Sequence, residues 1–157
     1  MDDVRQTVAV AAAIVFQAAI LHAWSDEPLV GTWRLERQEL NGENANFEPL
    51  MLKISQMGNR LTFAFSVPVN QIYFVSMSYT LRLDGTEADV KDAQGRKIGT
   101  IQMTGGTSQY KLIMKGPDRQ DSTGKLTVSS DGKMLTSESE TVQAGRSIHA
   151  KQLFTRY

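Results

Sequence analysis

Residues 58–85 read GNRLTFAFSVPVNQIYFVSMSYTLRLDG, and the spacing of their apolar residues decides the fold class. Leu61, Phe63, Phe65 and Val67 occupy every second position. After Pro68, Tyr73, Val75, Met77, Tyr79, Leu81 and Leu83 do the same. A period of two sends successive side chains to opposite faces of an extended chain, so each run predicts a strand with one buried face. Gly58-Asn59 and Asp84-Gly85 bracket the stretch with residues that tolerate positive φ, and they predict tight hairpins.

The same grammar extends in both directions. Upstream, Gly31–Glu39 (GTWRLERQE) alternates large apolar with charged residues, Asn41-Gly42 opens a short polar connection to Pro49, and Leu50, Leu52 and Ile54 alternate again. Downstream come Ala88 and Val90, then Lys97–Met103, Gln109–Lys115, Leu126 with Val128, Met134–Glu140 and Ser147–Tyr157. Gln94-Gly95, Gly105-Gly106, Gly116-Pro117-Asp118, Ser130-Asp131-Gly132 and Ala144-Gly145 read as the turns between them. No 3.6-residue apolar stripe follows Pro28. The expectation is an all-β, antiparallel up-and-down β-barrel of about eight to ten strands, because consecutive hairpins without crossovers form a meander. Closing that meander removes its exposed strand edges.

A different pattern precedes the barrel. Val8–Leu21 (VAVAAAIVFQAAIL) is apolar apart from Gln17, too short for a bilayer span of about 20 residues but suited to a signal-peptide core. Ala23-Trp24-Ser25 follows with the small residues a signal peptidase reads. The expectation is a signal peptide over residues 1–25, or an uncleaved anchor, and a barrel domain over 26–157 exported to the periplasm or beyond. Asp2 and Asp3 against a single Arg5 depart from the usual positive flank.

Composition removes several function classes. Lys plus Arg and Asp plus Glu are 17 each, so the chain lacks the cationic excess that displaces counterions from nucleic acid or anionic lipid. No nucleic-acid partner is expected, and no membrane contact beyond the signal segment. The absence of cysteine excludes disulfides, thiolate ligands and a cysteine nucleophile. Two histidines, of which His22 falls in the signal segment, give no metal-ligand cluster, and neither a phosphate-binding loop nor a Gly-x-Ser-x-Gly elbow occurs. No cofactor or metal is expected. Glu138 with Glu140, Glu36 and Asp89 would support acid–base catalysis only if burial raised one pKa, and a solvated strand face accounts for them. Asp118, Asp121 and Asp131 fall in loops, where turn formation explains them.

Gly31-Thr32-Trp33 opens the first strand, and Leu153-Phe154-Thr155-Arg156-Tyr157 ends the last. A Gly-x-Trp on strand one with an Arg on the final strand resembles the lipocalin and fatty-acid-binding-protein (calycin) superfamily. Thr127–Lys133 (TVSSDGK) is similar to segments of small bacterial exported lipocalin-like proteins of undefined function. The resemblance covers about Leu29 to Tyr157. It implies that Trp33 plugs the closed end of the barrel and that Arg156 lies across it, a cation–π contact worth roughly 0.5–2 kcal/mol. Three features depart from the superfamily: a C-terminal helix and a disulfide are missing, and Asn41–Pro49 is too short for a helical lid. Arg156 and Tyr157 are adjacent, so they point to opposite faces and do not form the Arg-x-Tyr pair that holds a fatty-acid carboxylate.

Alternation places Trp33, Leu35, Leu52, Ile54, Val75, Leu81, Leu112 and Phe154 inside, together with the cavity candidates Phe63, Phe65, Tyr73, Met77, Tyr79, Tyr110 and Met114. Such an interior is either packed solid by its own side chains or left partly open, with Met and Phe adaptable and tyrosines as polar handles. The open form predicts non-catalytic binding of a small hydrophobic or amphipathic ligand. Alternatives are a protein-interaction module, such as an inhibitor of an envelope or secreted hydrolase presenting residues 68–74 (PVNQIYF), and a calycin-type enzyme.

Overall fold

The computed structural model describes residues 27–116 and 121–157. The segment read as a signal peptide, and Pro117 and Asp118, lie outside the described residues. Eleven strands form one antiparallel sheet: β1 (Gly31–Leu40), β2 (Glu43–Ala45), β3 (Met51–Met57), β4 (Arg60–Val69), β5 (Ile72–Leu81), β6 (Ala88–Asp92), β7 (Lys97–Gly106), β8 (Gln109–Lys115), β9 (Asp121–Val128), β10 (Met134–Gln143) and β11 (Arg146–Arg156). Neighbours in sequence pair as neighbours in space from β3 to β11, and β11 returns to pair with β1. Ten strands therefore close an up-and-down barrel, and among the described residues there is no helix.

The eleventh strand sits where a polar connection was expected. Asn41 and Gly42 both take positive φ, the turn that matches strand twist. Glu43–Ala45 then folds back on Gln38–Leu40 as a short flap. β1 thus pairs with β3 through Gly31–Arg34 and with β2 through its far half.

The end of the barrel where β1 begins is closed. Trp33 is fully buried, and its indole N–H donates to the Leu29 carbonyl at 2.8 Å. The Arg156 guanidinium carbon lies 4.2 Å from the ring centroid. Its nitrogens donate to the carbonyls of Gly132, Val30 and Pro28 at 2.7, 2.7 and 2.9 Å. Arg156 thereby ties three segments together over the indole. Gly31 explains the spacing of the motif: a Cβ at this position, which has φ +153°, would collide with that guanidinium.

Two other expectations are corrected. Gly105-Gly106 is not a turn. Both residues belong to β7, and the hairpin turns through Thr107-Ser108, both at positive φ. A Cβ on Gly105 would strike the backbone of Gln109 and Tyr110, so glycine here permits close strand approach. The second correction is a bulge. The β4–β5 register runs Phe65↔Met77 and then Ser66↔Val75, which leaves Ser76 unpaired. The extra residue breaks the alternation read through Tyr73 and Val75. Both leave the core and are 48% and 45% exposed.

Candidate functional site

The buried side chains concentrate toward the closed end: Trp33, Leu61, Phe63, Met103, Tyr110, Leu135 and Phe154 are all at most 1–2% exposed. Beyond them, toward the end formed by the β4–β5 and β10–β11 turns, the interior opens into a cavity of about 210 Å³. The closed end is filled, and the cavity lies beyond it with Phe63 and Phe154 among its lining residues.

The cavity has two unlike walls. Leu52 on β3, Phe63 and Phe65 on β4, and Met77 and Tyr79 on β5 make the first. Phe63 and Tyr79 are cross-strand partners whose rings stack at 4.9 Å, and Phe65 tilts toward Tyr79 at 6.0 Å. The second wall comes from β9–β11: Ser122, Gly124, Ser137, Ser139 and Gln152, with Leu112 and Met114 of β8 joining the two. Gln152 donates to the Gln38 side-chain carbonyl at 3.1 Å, and Ser122 shares a 2.6 Å hydrogen bond with Thr141. Gly124 lets the strands approach closely here, since an added Cβ would come within 3.2 Å of the Glu138 carbonyl oxygen.

Five of the seven cavity candidates, Phe63, Phe65, Met77, Tyr79 and Met114, are brought together here. Two are not. Tyr73 sits on the exposed arm of β5 because of the bulge. Tyr110 is 1% exposed but faces the closed end, where its hydroxyl donates to Glu27 at 2.6 Å. Burial, with the Glu27 carboxylate adding to it, raises the Tyr110 pKa. The Tyr79 pKa is raised by burial alone.

The serine and glutamine wall escaped the sequence reading. Continuing the alternation back from Leu126, Leu135 and Phe154 would have found it, but Ser and Gln at those positions resemble a solvated face.

The acids considered for catalysis all face solvent. Glu36 is held by Arg34 at 2.7 Å, and its pKa is lowered by that hydrogen bond and by one from Thr155, the reverse of what a general acid needs. Asp89 pairs with Lys97 at 2.6 Å, Glu138 with Lys151 at 3.6 Å, and Glu140 lies 3.8 Å from His149. Each is about half-exposed, as exposed surface pairs are, and such pairs contribute little to stability. Around Glu138 and Glu140 a wider depression of about 990 Å³ crosses the outer face of β7–β11, lined also by Lys111, Lys125, Lys151 and His149. It is larger than the interior cavity but lies on the solvent side of the sheet. Among the described residues no cluster of acids and histidines is placed to hold a metal.

No protein-family model and no curated protein matches this chain. Solved structures do. The zebrafish ileal bile acid-binding protein complexed with cholic acid superposes with a TM-score of 0.57 at 19% identity, over 83% of this chain and 99% of the other. A variant of the fluorescent protein UnaG superposes with a TM-score of 0.57 at 17% identity, over 83% and 96%. At these identities the likeness is one of fold, and the chain is an all-β antiparallel closed barrel like these two.

Proposed function

We propose that this protein binds a small hydrophobic or amphipathic molecule inside the barrel, without chemistry. The observation that carries the reading is the cavity: a 210 Å³ space walled by Phe63, Phe65, Met77 and Met114 above a solid floor. A packed barrel of this strand number would need no such space. The volume falls below the roughly 300–1,000 Å³ usual for ligand sites, which favours a small ligand or one that extends through the open end. The similar barrel that holds cholic acid supports the reading. The apolar run Val8–Leu21 supports a place of action outside the cytoplasm.

The test is native mass spectrometry of the protein recovered from its own exported fraction. A defined added mass that disappears on denaturation is expected. A clean apo mass, together with no displacement of a fluorescent fatty-acid probe, would overturn the carrier reading.

A second reading has its own observation. Ile72, Tyr73, Phe74 and Val75 stand 45–60% exposed, and β6 pairs only with Met77–Tyr79, which leaves the outer edge of this arm unpaired. An exposed apolar edge of this kind suits docking onto a protein such as a secreted hydrolase. A partner cross-linked in the exported fraction that is lost on Ile72→Lys with Phe74→Lys would support it. Retention of the partner in that variant would exclude the arm.

A further inference from the structure

The carrier reading leaves the ligand's polar character open, and the cavity walls address it. Its second wall carries the hydroxyls of Ser122, Ser137 and Ser139 and the carboxamide of Gln152. All four positions follow the inward alternation of β9, β10 and β11, in register with Leu126, Leu135 and Phe154. Glu138 also borders the cavity, but its side chain is 52% exposed and turned to Lys151 on the outer face. Among the described lining residues, then, no charged side chain points inward.

Opposite this wall, Tyr79 lines the same cavity and is 5% exposed. A polar group brought into the cavity costs free energy unless something hydrogen-bonds to it, and Tyr79 lines that space. Burial also keeps it un-ionised, so it offers one donor and one acceptor.

We infer that the cavity takes an uncharged amphipath, apolar toward Phe63 and Phe65, whose hydroxyl or carbonyl group is met by Tyr79 and by the Ser139–Gln152 side, and that it discriminates against carboxylates. The physical reason is desolvation. An ionised carboxylate buried without a cation loses far more hydration than neutral hydroxyls and amides return, whereas an alcohol exchanges one set of hydrogen bonds for another. The inference rests on the carrier reading and adds ligand class to it.

The experiment titrates decanol, and separately decanoate at neutral pH, into the full chain carrying isotope-labelled methionine methyl groups. Met77 and Met114 report from inside the cavity. Decanol is expected to shift both resonances and to bind at least about tenfold more tightly than decanoate. Tyr79→Phe, which keeps the ring, is expected to weaken decanol about fivefold, the worth of one hydrogen bond. Gln152→Arg, which supplies the missing cation, is expected to reverse the preference toward decanoate. Equal or tighter binding of decanoate to the unmodified protein, seen at the same methyl groups, would overturn this inference and leave the carrier reading standing. If neither probe shifts Met77 or Met114, both fall.

Discussion

Gly31 and Arg156 are far apart in sequence and act as one unit. The glycine is required because the guanidinium occupies the space a side chain would take, and the guanidinium is held there by three carbonyls and an indole. Arg156→Ala removes charge-assisted hydrogen bonds and the cation–π contact, and at this partly solvated end of the barrel it is expected to cost about 2–3 kcal/mol. Gly31→Ala is expected to cost a similar amount, partly through its backbone conformation and partly by displacing Arg156. Because the two injuries share a cause, they should not add: in the Arg156→Ala background, Gly31→Ala is expected to cost only about 1 kcal/mol. A double-mutant cycle from urea unfolding measures this, and full additivity would mean that the glycine serves the backbone alone. The Gly-x-Trp motif and the terminal Arg were legible in the sequence. What it could not show was the collision that makes the glycine obligatory, since that depends on residues 125 positions apart meeting across the β1–β11 closure.

At the scale of elements, strands were legible wherever apolar alternation ended at a turn pair, as from Leu61 to Phe65 and from Tyr79 to Leu81. The flap β2 was hidden because Glu43-Asn44-Ala45 carries no apolar alternation. The Ser76 bulge was hidden for the opposite reason. Tyr73, Val75, Met77 and Tyr79 alternate without interruption, and an inserted residue leaves no mark on that pattern. The bulge nevertheless decides what the β4–β5 arm does, since it releases Ile72–Val75 from the core and from β6. No charged residue occurs from Leu61 to Leu81, so the arm also lacks the lysines that usually guard an open edge; Pro68 protects only the β4 side. Ile72→Lys with Phe74→Lys is therefore expected to leave the stability of the barrel within about 0.5 kcal/mol of the starting protein. The same variant should lower self-association at high concentration and the binding of an apolar dye. A loss of about 2 kcal/mol or more in urea unfolding would show instead that the arm packs against the core.

The whole molecule combines a filled closed end with a cavity beyond it, and two buried tyrosines, one at each, make its stability depend on alkaline pH. Tyr110 anchors the closed end through Glu27, and Tyr79 stands in the cavity wall. Burial raises both pKa values in the folded state above the ordinary tyrosine value of about 10. In the unfolded chain both ionise near that ordinary value, so above it the folded state holds more protons than the unfolded state. Their contribution is fully present below about pH 10 and is lost as pH rises toward the folded values. Each tyrosine contributes up to about 1.4 kcal/mol per pH unit to that fall. Unfolding midpoints are accordingly expected to be flat in this respect up to about pH 10 and to drop steeply beyond it. Phenolate absorbance should appear together with loss of the fold. Tyr79→Phe should remove about half of the slope without weakening the floor. Tyr110→Phe should remove a similar share, but it should also cost about 1–2 kcal/mol at neutral pH, because it leaves the Glu27 carboxylate without its donor. If both variants kept the full alkaline slope, surface groups such as Lys97, whose pKa is raised by Asp89, would have to account for it, and the two tyrosines would be accessible to water.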